Sequence, residues 1–326
     1  MHFFKRIAAV FIAGCVFCTG LFAWDVMDTY FNGDDLNASI NRYVMNVSNL
    51  IPDMTTQLNV WSFAPGASGS NWWVGAGLNF NATFYDRSHV GNVLKGNDAF
   101  GADNLDLAQF PESIPYLPAV SIDLKFGSRR SDFGISGMWL DENILAENVG
   151  TTFFGEGSSF SLRILGFDFR YAVIEDKRLN WYPSITLQAG YYYTGMNFGI
   201  SAIDDGKNES VAVDFRNDSF LLGVQVAKEG LIPLLTPYAG YKVIFSRTDS
   251  EYEWMTSRPV IINGEPYLSG ARYISKSKEG EYKTYSQLYA GFGLTFLYSH
   301  ILTIGAAYTL GTDHFSVNAA ARFIIK

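Results

Sequence analysis

Cysteine and charged residues are both scarce in this sequence. The 326 residues include two cysteines, Cys15 and Cys18, which lie in the same apolar stretch near the N-terminus. Charged residues make up 17% of the chain, compared with about 25% in soluble domains. The rest of the chain therefore has no thiol for a disulfide or a metal ligand, and its composition does not favour a surface surrounded entirely by water.

Long, purely apolar runs are also missing beyond the N-terminus. The mean hydropathy is close to zero, whereas a bundle of transmembrane helices needs segments of about 20 mainly apolar residues. The uncharged segments 179 to 203 and 284 to 312 carry polar residues at every second position, which a helix would scatter over all its faces. Aromatic residues are abundant instead, at 16% of the chain, and they suit a surface in contact with lipid.

Residues 1 to 23 have the pattern of a secretory signal peptide. Lys5 and Arg6 precede an apolar stretch, and the small residue Ala23 follows it, so we expect cleavage after Ala23. That cleavage removes two of the 24 basic residues and none of the 32 acidic ones, leaving a formal net charge of −10. Nucleic acid is therefore not expected as a partner.

Two alternatives for the N-terminus remain open. Ile12-Ala13-Gly14-Cys15 resembles a lipobox, with Cys15 as the acylated residue, although apolar residues continue directly after it. An uncleaved membrane anchor is the other alternative, and its apolar run is at the lower limit for spanning a bilayer.

Strict period-two alternation is the main structural signal in the mature chain. Successive side chains of a β-strand point to opposite faces of the sheet. In segment 72 to 85 one face carries Trp72, Val74, Ala76, Leu78, Phe80, Ala82 and Phe84, and the other carries Gly75, Gly77, Asn79, Asn81 and Thr83. Ten residues from Trp181 to Tyr191, at about 3.3 Å each and tilted near 45°, rise roughly 23 Å, close to the apolar band of an outer-membrane barrel.

Ten segments follow this pattern and predict a transmembrane, antiparallel, up-and-down β-barrel of about ten strands. They are 72–85, 119–127, 132–140, 159–174, 181–194, 210–226, 235–247, 284–298, 301–310 and 314–325. The connections between them alternate between long (86–117, 141–158, 195–209, 248–283) and short, as expected for long outer loops and short periplasmic turns. The apolar phase changes within 159–174, which predicts a β-bulge near Ile164.

A segment with helical spacing precedes the barrel. Leu36, Ile40, Tyr43, Val44, Val47, Leu50 and Ile51 recur at helical intervals in residues 34 to 51. We therefore expect a short amphipathic helix within a lead-in or plug at residues 24–57, followed by the barrel at 58–326. This helix either plugs the lumen or packs at the end of the barrel without further function.

The mature chain resembles bacterial outer-membrane β-barrel proteins as a class. The resemblance rests on the signal peptide, the alternating strands and the terminal strand ending Ala321-Arg322-Phe323-Ile324-Ile325-Lys326. One departure is Lys326, since many such proteins end on an aromatic residue. The resemblance implies a location in the bacterial outer membrane, with outer-membrane lipid and the barrel assembly machinery as partners.

Several charged residues fall on the face expected to line the lumen. They are Asp123, Lys125, Arg163, Asp168, Arg170, Asp214, Arg216, Lys242 and Arg322. Charges of both signs in a narrow barrel either form a paired network that fills the interior or line a polar path for a solute. In the long connection 248–283, Tyr252, Trp254, Tyr267 and Tyr273 either contact a partner or pack on one another above the membrane.

No catalytic, cofactor or metal site is expected. The mature chain has His89, His300 and His314 as its histidines; Asp313 precedes His314, but neighbours on a strand point to opposite faces. We expect a barrel that is not an enzyme, and a small channel or uptake protein for a small or amphiphilic solute. The alternatives are a closed-lumen structural or surface-interaction barrel, similar to an adhesin, and a soluble periplasmic β-sandwich.

Overall fold

The structure is a computed structural model that describes most of the chain beyond residue 30. It describes residues 31–56, 72–84, 116–128, 130–141, 158–176, 182–204, 207–229, 234–257, 259–267, 269–275, 280–296, 300–312 and 314–325. The expected signal peptide with Cys15 lies outside these residues, and so does His89.

One helix and fourteen strands make up the described residues. In chain order they are β1 (Phe31–Asn32), α1 (Gly33–Thr56), β2 (Trp72–Phe84), β3 (Tyr116–Ser128), β4 (Ser131–Asp141), β5 (Ser158–Ile174), β6 (Ser184–Asp204), β7 (Lys207–Ala227), β8 (Leu235–Thr256), β9 (Val260–Ile262), β10 (Glu265–Tyr267), β11 (Ala271–Ile274), β12 (Lys283–Phe296), β13 (His300–Leu310) and β14 (His314–Ile325).

Ten of these strands close into an antiparallel barrel. Each of β2 to β7 pairs with the next strand, β8 pairs with β12, and β12, β13 and β14 follow in order before β14 pairs with β2. The predicted ten-stranded, all-β barrel is thereby confirmed. Closure matters because every backbone N–H and C=O in hydrocarbon must find a partner within the protein.

Two smaller features lie at the end of the barrel that carries the long connections. Strand β11 pairs with the last residues of β8, beyond Ser246, which is the partner of the first residue of β12. It is therefore an extra strand attached to the barrel sheet. Strands β1, β9 and β10 form a separate small sheet in which β1 runs parallel to β9. This small sheet ties the start of α1 to the connection between β8 and β12.

An apolar outer belt marks the part of the barrel that faces lipid. On β8, the outward positions from Leu235 to Phe245 are apolar or aromatic, and the next outward residue, Arg247, is followed on the same face by Asp249, Glu251 and Glu253. Ten residues of a tilted strand rise roughly 23 Å, close to the expected apolar height of about 25 Å. The membrane boundary on β8 therefore lies between Phe245 and Arg247.

Strands β6, β7 and β8 continue well beyond this boundary. Strand β8 has 22 residues and β6 and β7 have 21 each. The predicted long connection at 195–209 is wrong, because β6 runs to Asp204 and β7 starts at Lys207. Part of the connection predicted at 248–283 is also strand, since β8 ends at Thr256.

The polarity of the two barrel faces is reversed above the boundary. Val213 and Phe215 are buried inside the barrel, whereas Asp214 and Arg216 point outward. The prediction that Asp214 and Arg216 face the lumen is wrong, because it assumed that the apolar face always points outward. That rule holds only where lipid surrounds the strand, and water surrounds this part.

The same reversal explains the phase change in β5. Leu162 and Ile164 are buried inside, while Arg163 is exposed outside, with its guanidinium carbon 4.3 Å from the centre of the Trp139 ring. The lumen-facing prediction for Arg163 is therefore wrong. Pairing with β4 and β6 is continuous through Ile164, so the bulge predicted there is absent, and the register shift lies at 172–174 instead.

The outer belt can be tested with two substitutions on the same face of β6. Leu187, which is 50% exposed, lies within the belt, so Leu187→Arg should cost about 2 to 4 kcal/mol in the membrane. Asn197 lies on the same face above the belt, where its side chain bonds Asp214, so Asn197→Arg should cost about 1 kcal/mol or less. The measurement is the yield of heat-modifiable, folded protein in membranes. Equal yields from the two variants would contradict the placement of the belt.

Candidate functional site

Helix α1 lies inside the barrel and descends along β8. The Trp254 Nε1 donates to Asn37 Oδ1 at 2.7 Å, the Asn41 Nδ2 donates to the Tyr252 hydroxyl at 3.1 Å, and Lys242 Nζ donates to the Thr56 carbonyl at 3.0 Å. Residues later in the helix thus meet residues earlier in β8. The N-terminus of α1 is at the long-loop end, and its C-terminus is deep in the lumen.

Tyr252 holds the upper part of α1 as a neutral phenol. It lies above the membrane boundary, and its burial raises its pKa to about 12. Its hydroxyl accepts from Asn41 and donates to Asn37. The ring of Tyr273 stacks on both Tyr252 and Trp254, with centroids 6.1 and 5.7 Å apart.

Pro52 creates a further contact between α1 and the wall. Proline has no N–H, so the Ser48 carbonyl one turn earlier lacks its helical hydrogen-bond donor. The Thr248 hydroxyl of β8 donates to this carbonyl at 3.3 Å. The contact therefore satisfies a carbonyl group that the helix itself cannot pair.

The carboxylate of Asp53 is held by three neighbouring strands. Its Oδ1 accepts from Thr309 Oγ1 on β13 at 2.7 Å and from Gln287 Nε2 on β12 at 3.3 Å. Its Oδ2 lies 2.6 Å from Nδ1 of His314 on β14, which must carry a hydrogen to bond the carboxylate. We call Gln287, Thr309 and His314 the carboxylate cradle.

Other groups complete the binding of this end of the helix. Asn81 Nδ2 on β2 donates to the Asp53 carbonyl at 3.3 Å, while Lys242 donates to Thr56. A cation at the C-terminus of a helix also interacts favourably with the helix dipole. Five adjacent wall strands, from β8 through β12, β13 and β14 to β2, thus hold the last turn of α1.

One face of α1 is open to water above the cradle. Asp34, Ala38, Asn41 and Met45 are exposed along this face, Met45 to 54%. Ser48 and Asn49 are half-buried, and Ile51 and Asp53 are fully buried. We call the water-accessible space beside this face the vestibule, and it ends just above the cradle.

Below the cradle, charged side chains from β3, β4, β5 and β14 form a buried layer. Its members are Asp123, Lys125, Asp132, Asp168, Arg170 and Arg322, and they are at most 6% exposed. We call this set the ionic layer. Arg170 binds Asp132 through two parallel bonds of 2.9 and 2.6 Å, a geometry typical of strong arginine–carboxylate pairs.

Two ion pairs of this layer reach across a strand that has glycine at the crossing point. Lys125 on β3 and Asp168 on β5 are both register partners of Gly134 on β4, and the two side chains bond above it. A Cβ on Gly134 would lie 2.1 Å from Asp168 Oδ1. Only glycine leaves the room that this pair needs.

Arg322 and Asp123 repeat the arrangement across β2, on the neighbouring part of the wall. Both are register partners of Gly77 on β2, and Arg322 Nε lies 3.5 Å from Asp123 Oδ2. Arg322 also donates to Thr303 at 3.0 Å, and Asn79 donates to Asp123 at 2.6 Å. A Cβ on Gly77 would lie 2.4 Å from Asp123.

The structure brings together most of the candidate residues. Six of them lie inside the barrel, namely Asp123, Lys125, Asp168, Arg170, Lys242 and Arg322. Arg163, Asp214 and Arg216 lie outside. Tyr252, Trp254 and Tyr273 pack on one another, as in the second interpretation of that segment, and Tyr267 is 43% exposed.

Sequence reasoning missed two acidic members of the site. Asp132 alternates with the outward Phe133 on β4, so the strand phase alone would have identified it. Asp53 carries no such signal, because its partner His314 is 261 positions away. The sequence analysis considered Asp313, the neighbour of His314, and this residue lies outside the described residues.

Neither a membrane-spanning helix nor a metal cluster occurs in the described part of the chain. No helix there has both the length and the apolar character needed to cross a membrane. Within the same residues, no three His, Cys, Asp or Glu side chains are placed to hold a metal ion.

Comparison with known proteins assigns this chain to no family. No protein-family model and no curated protein matches the sequence. The fold is similar to the translocator domain of the autotransporter NalP from Neisseria meningitidis, with 8% identity, a TM-score of 0.37, and coverage of 92% of this chain and 100% of that one. The outer-membrane protease OmpT from Escherichia coli gives 9% identity, a TM-score of 0.38, and coverage of 82% and 100%.

A toluene transporter is also among the similar structures. TodX from P. putida has 9% identity and a TM-score of 0.30, with 80% of this chain and 92% of that chain covered. These proteins have different activities, and at such identities and TM-scores none of them assigns a function to this chain.

The glycine beneath the Lys125–Asp168 pair gives a test of the ionic layer. Gly134→Ala places a methyl group on the carboxylate and should separate the pair, and disruption of a buried pair costs about 3 to 5 kcal/mol. Gly137→Ala on the same strand is the control, because the nearest atom to its Cβ would be 3.7 Å away. The readout is the temperature at which the folded band is lost in unboiled electrophoresis. If the two variants lose it at the same temperature, the ion pair does not contribute as described.

Proposed function

We propose that this protein is an outer-membrane uptake barrel for a small solute, with α1 as its gate. The observation that carries the proposal is the position of α1, whose last turn is held in the lumen between the open vestibule and the ionic layer. The proposal includes export with cleavage after Ala23 and insertion into outer-membrane lipid by the barrel assembly machinery.

The polar contacts between α1 and the barrel wall are of a kind that water can replace, which supports a gate that can move. These contacts include hydrogen bonds to Asn37, Asn41, Ser48, Asp53 and Thr56, and the Asp53 carboxylate receives three of them. Each such bond contributes only about 0.5 to 1.5 kcal/mol, or up to about 3 kcal/mol where one group is charged, because water replaces the bond when it breaks. The wall groups would be hydrated by the vestibule once the helix moves.

The residues around the vestibule favour an amphiphilic solute over a purely polar one. Its surroundings combine the exposed Met45 with the side-chain amides of Asn41 and Asn49. A solute with an apolar part and a polar group would find partners for both.

A closed-lumen structural barrel is the second candidate, and the ionic layer is the observation that favours it. The paired charges of this layer are as buried as a protein core, and a solute could pass only if they rearranged. This candidate predicts that the protein carries no solute flux in any state of α1.

A reversible disulfide between α1 and β8 separates the two candidates. The Thr248 side chain lies 3.3 Å from the Ser48 backbone carbonyl, so cysteines at these two positions would be neighbours. The mature chain from residue 24 has no other cysteine. In the Ser48→Cys/Thr248→Cys variant, oxidation should abolish flux of a small amphiphile into liposomes, and reduction should restore it to the wild-type rate.

Each single cysteine variant serves as the control, since neither can form the link. Their flux should not respond to oxidant. Flux in the oxidised double variant equal to that of the reduced form would contradict a gate at α1, and absence of flux in every protein would favour the closed barrel.

A further inference from the structure

The carboxylate cradle is more elaborate than helix anchoring requires. Gln287, Thr309 and His314 come from three different strands and converge on the two oxygens of one carboxylate. Gln287 is 0% and Thr309 is 1% exposed, and the His314 side chain is 12% exposed. The donors belong to the barrel wall, while the carboxylate belongs to the movable helix.

The cradle is selective for the chemistry of its present occupant. One donor pair bonds Oδ1 and the imidazole bonds Oδ2, so the cradle matches a planar group with two acceptor oxygens. Gln287 also donates to Thr309 Oγ1 at 3.0 Å, which leaves the threonine hydroxyl hydrogen directed at the carboxylate. A primary amide would present its own N–H hydrogens to one of these donors, and buried donors facing each other are unfavourable.

The surrounding charges favour an anion at this position. Lys242 lies at the same end of α1, and its Nζ bonds the Thr56 carbonyl and lies 4.7 Å from the centre of the Tyr289 ring. The ionic layer below contains three cations and three aspartates. With Asp53 and Lys242 included, the acidic and basic side chains of this part of the lumen are equal in number, and departure of α1 leaves one basic side chain in excess beside a cradle of hydrogen-bond donors.

The cradle lies within reach of the vestibule. Ser48 and Asn49 are half-buried and lie about one turn above Asp53. A solute at the bottom of the vestibule would thus be about one helical turn from the buried Asp53 carboxylate. It would compete with a group tethered to the same protein, whose effective concentration is on the order of millimolar or higher.

We propose that the cradle of Gln287, Thr309 and His314 is a binding site for the carboxylate of an organic acid, and that Asp53 occupies it as a built-in competitor. A solute carboxylate displaces Asp53 and releases the last turn of α1. This inference rests on the proposed uptake function and names the class of solute that opens the gate.

Chemical rescue tests the cradle without any transport measurement. Asp53→Ala removes the competing carboxylate and leaves space for acetate, so the detergent-solubilised mature variant should bind acetate about tenfold or more tightly than wild type. Asp34→Ala is the matched control, because Asp34 is exposed at the other end of α1 and bonds the Asn263 amide. That variant should bind acetate as weakly as wild type.

Three further arms define the chemistry of the site. Acetamide and inorganic phosphate at equal ionic strength should not bind the Asp53→Ala variant measurably, and adding Thr309→Val should weaken its acetate binding about fivefold or more. Equal acetate affinity of wild type and Asp53→Ala would overturn the proposal. Equal binding of phosphate or acetamide would overturn the assignment to carboxylates.

Labelling of a cysteine at position 48 tests the same proposal with Asp53 in place, so it can be done even if the Asp53→Ala variant does not fold. In Ser48→Cys, benzoate should accelerate labelling by a water-soluble maleimide several-fold, and benzamide should not. Equal rates with both would overturn release by a carboxylate. Because binding and labelling need no flux, a positive result here with no flux in the disulfide experiment would refute the uptake function and leave the cradle standing.

Discussion

The solvent outside each strand determines what the inside of this barrel must contain. Between Phe245 and Arg247 the outer face of β8 changes from lipid-facing to water-facing. Below that line the outer face has to be apolar, so polar residues of the alternating pattern point inward and must pair with one another. Above it the outer face can be polar, and apolar side chains such as Phe215 turn inward.

This reversal also explains where α1 can lie. Its upper half shares the lumen with apolar and aromatic side chains, and its last turn meets hydroxyl, amide and charged groups. Ile40 and Val44 are buried in the first environment, and Asp53 is buried in the second. The helix therefore matches the barrel along its length, with a single carboxylate at the depth where the wall supplies three donors.

Alternation within single strands was enough to predict the ten-stranded barrel. It also placed correctly six of the nine charged residues that were predicted to face the lumen, because the outward face must be apolar wherever lipid surrounds the strand. Arg163, Asp214 and Arg216 were misplaced because the rule that the apolar face points outward does not hold above the membrane boundary, where water surrounds the strands. The pairs over Gly77 and Gly134 depend on register across three strands. The cradle depends on contacts over more than two hundred positions, for which a single sequence carries no signal.

The two glycine-centred pairs and the cradle solve the same physical problem in different ways. A buried charge needs a partner whose geometry is fixed. In the ionic layer both partners sit on the wall, and glycine brings them together, so this layer cannot open without breaking buried pairs. At the cradle one partner sits on a helix that the wall holds through separate hydrogen bonds. Under the proposed function, a solute carboxylate at the cradle would replace this charge with another of the same chemistry and leave no wall donor unpaired.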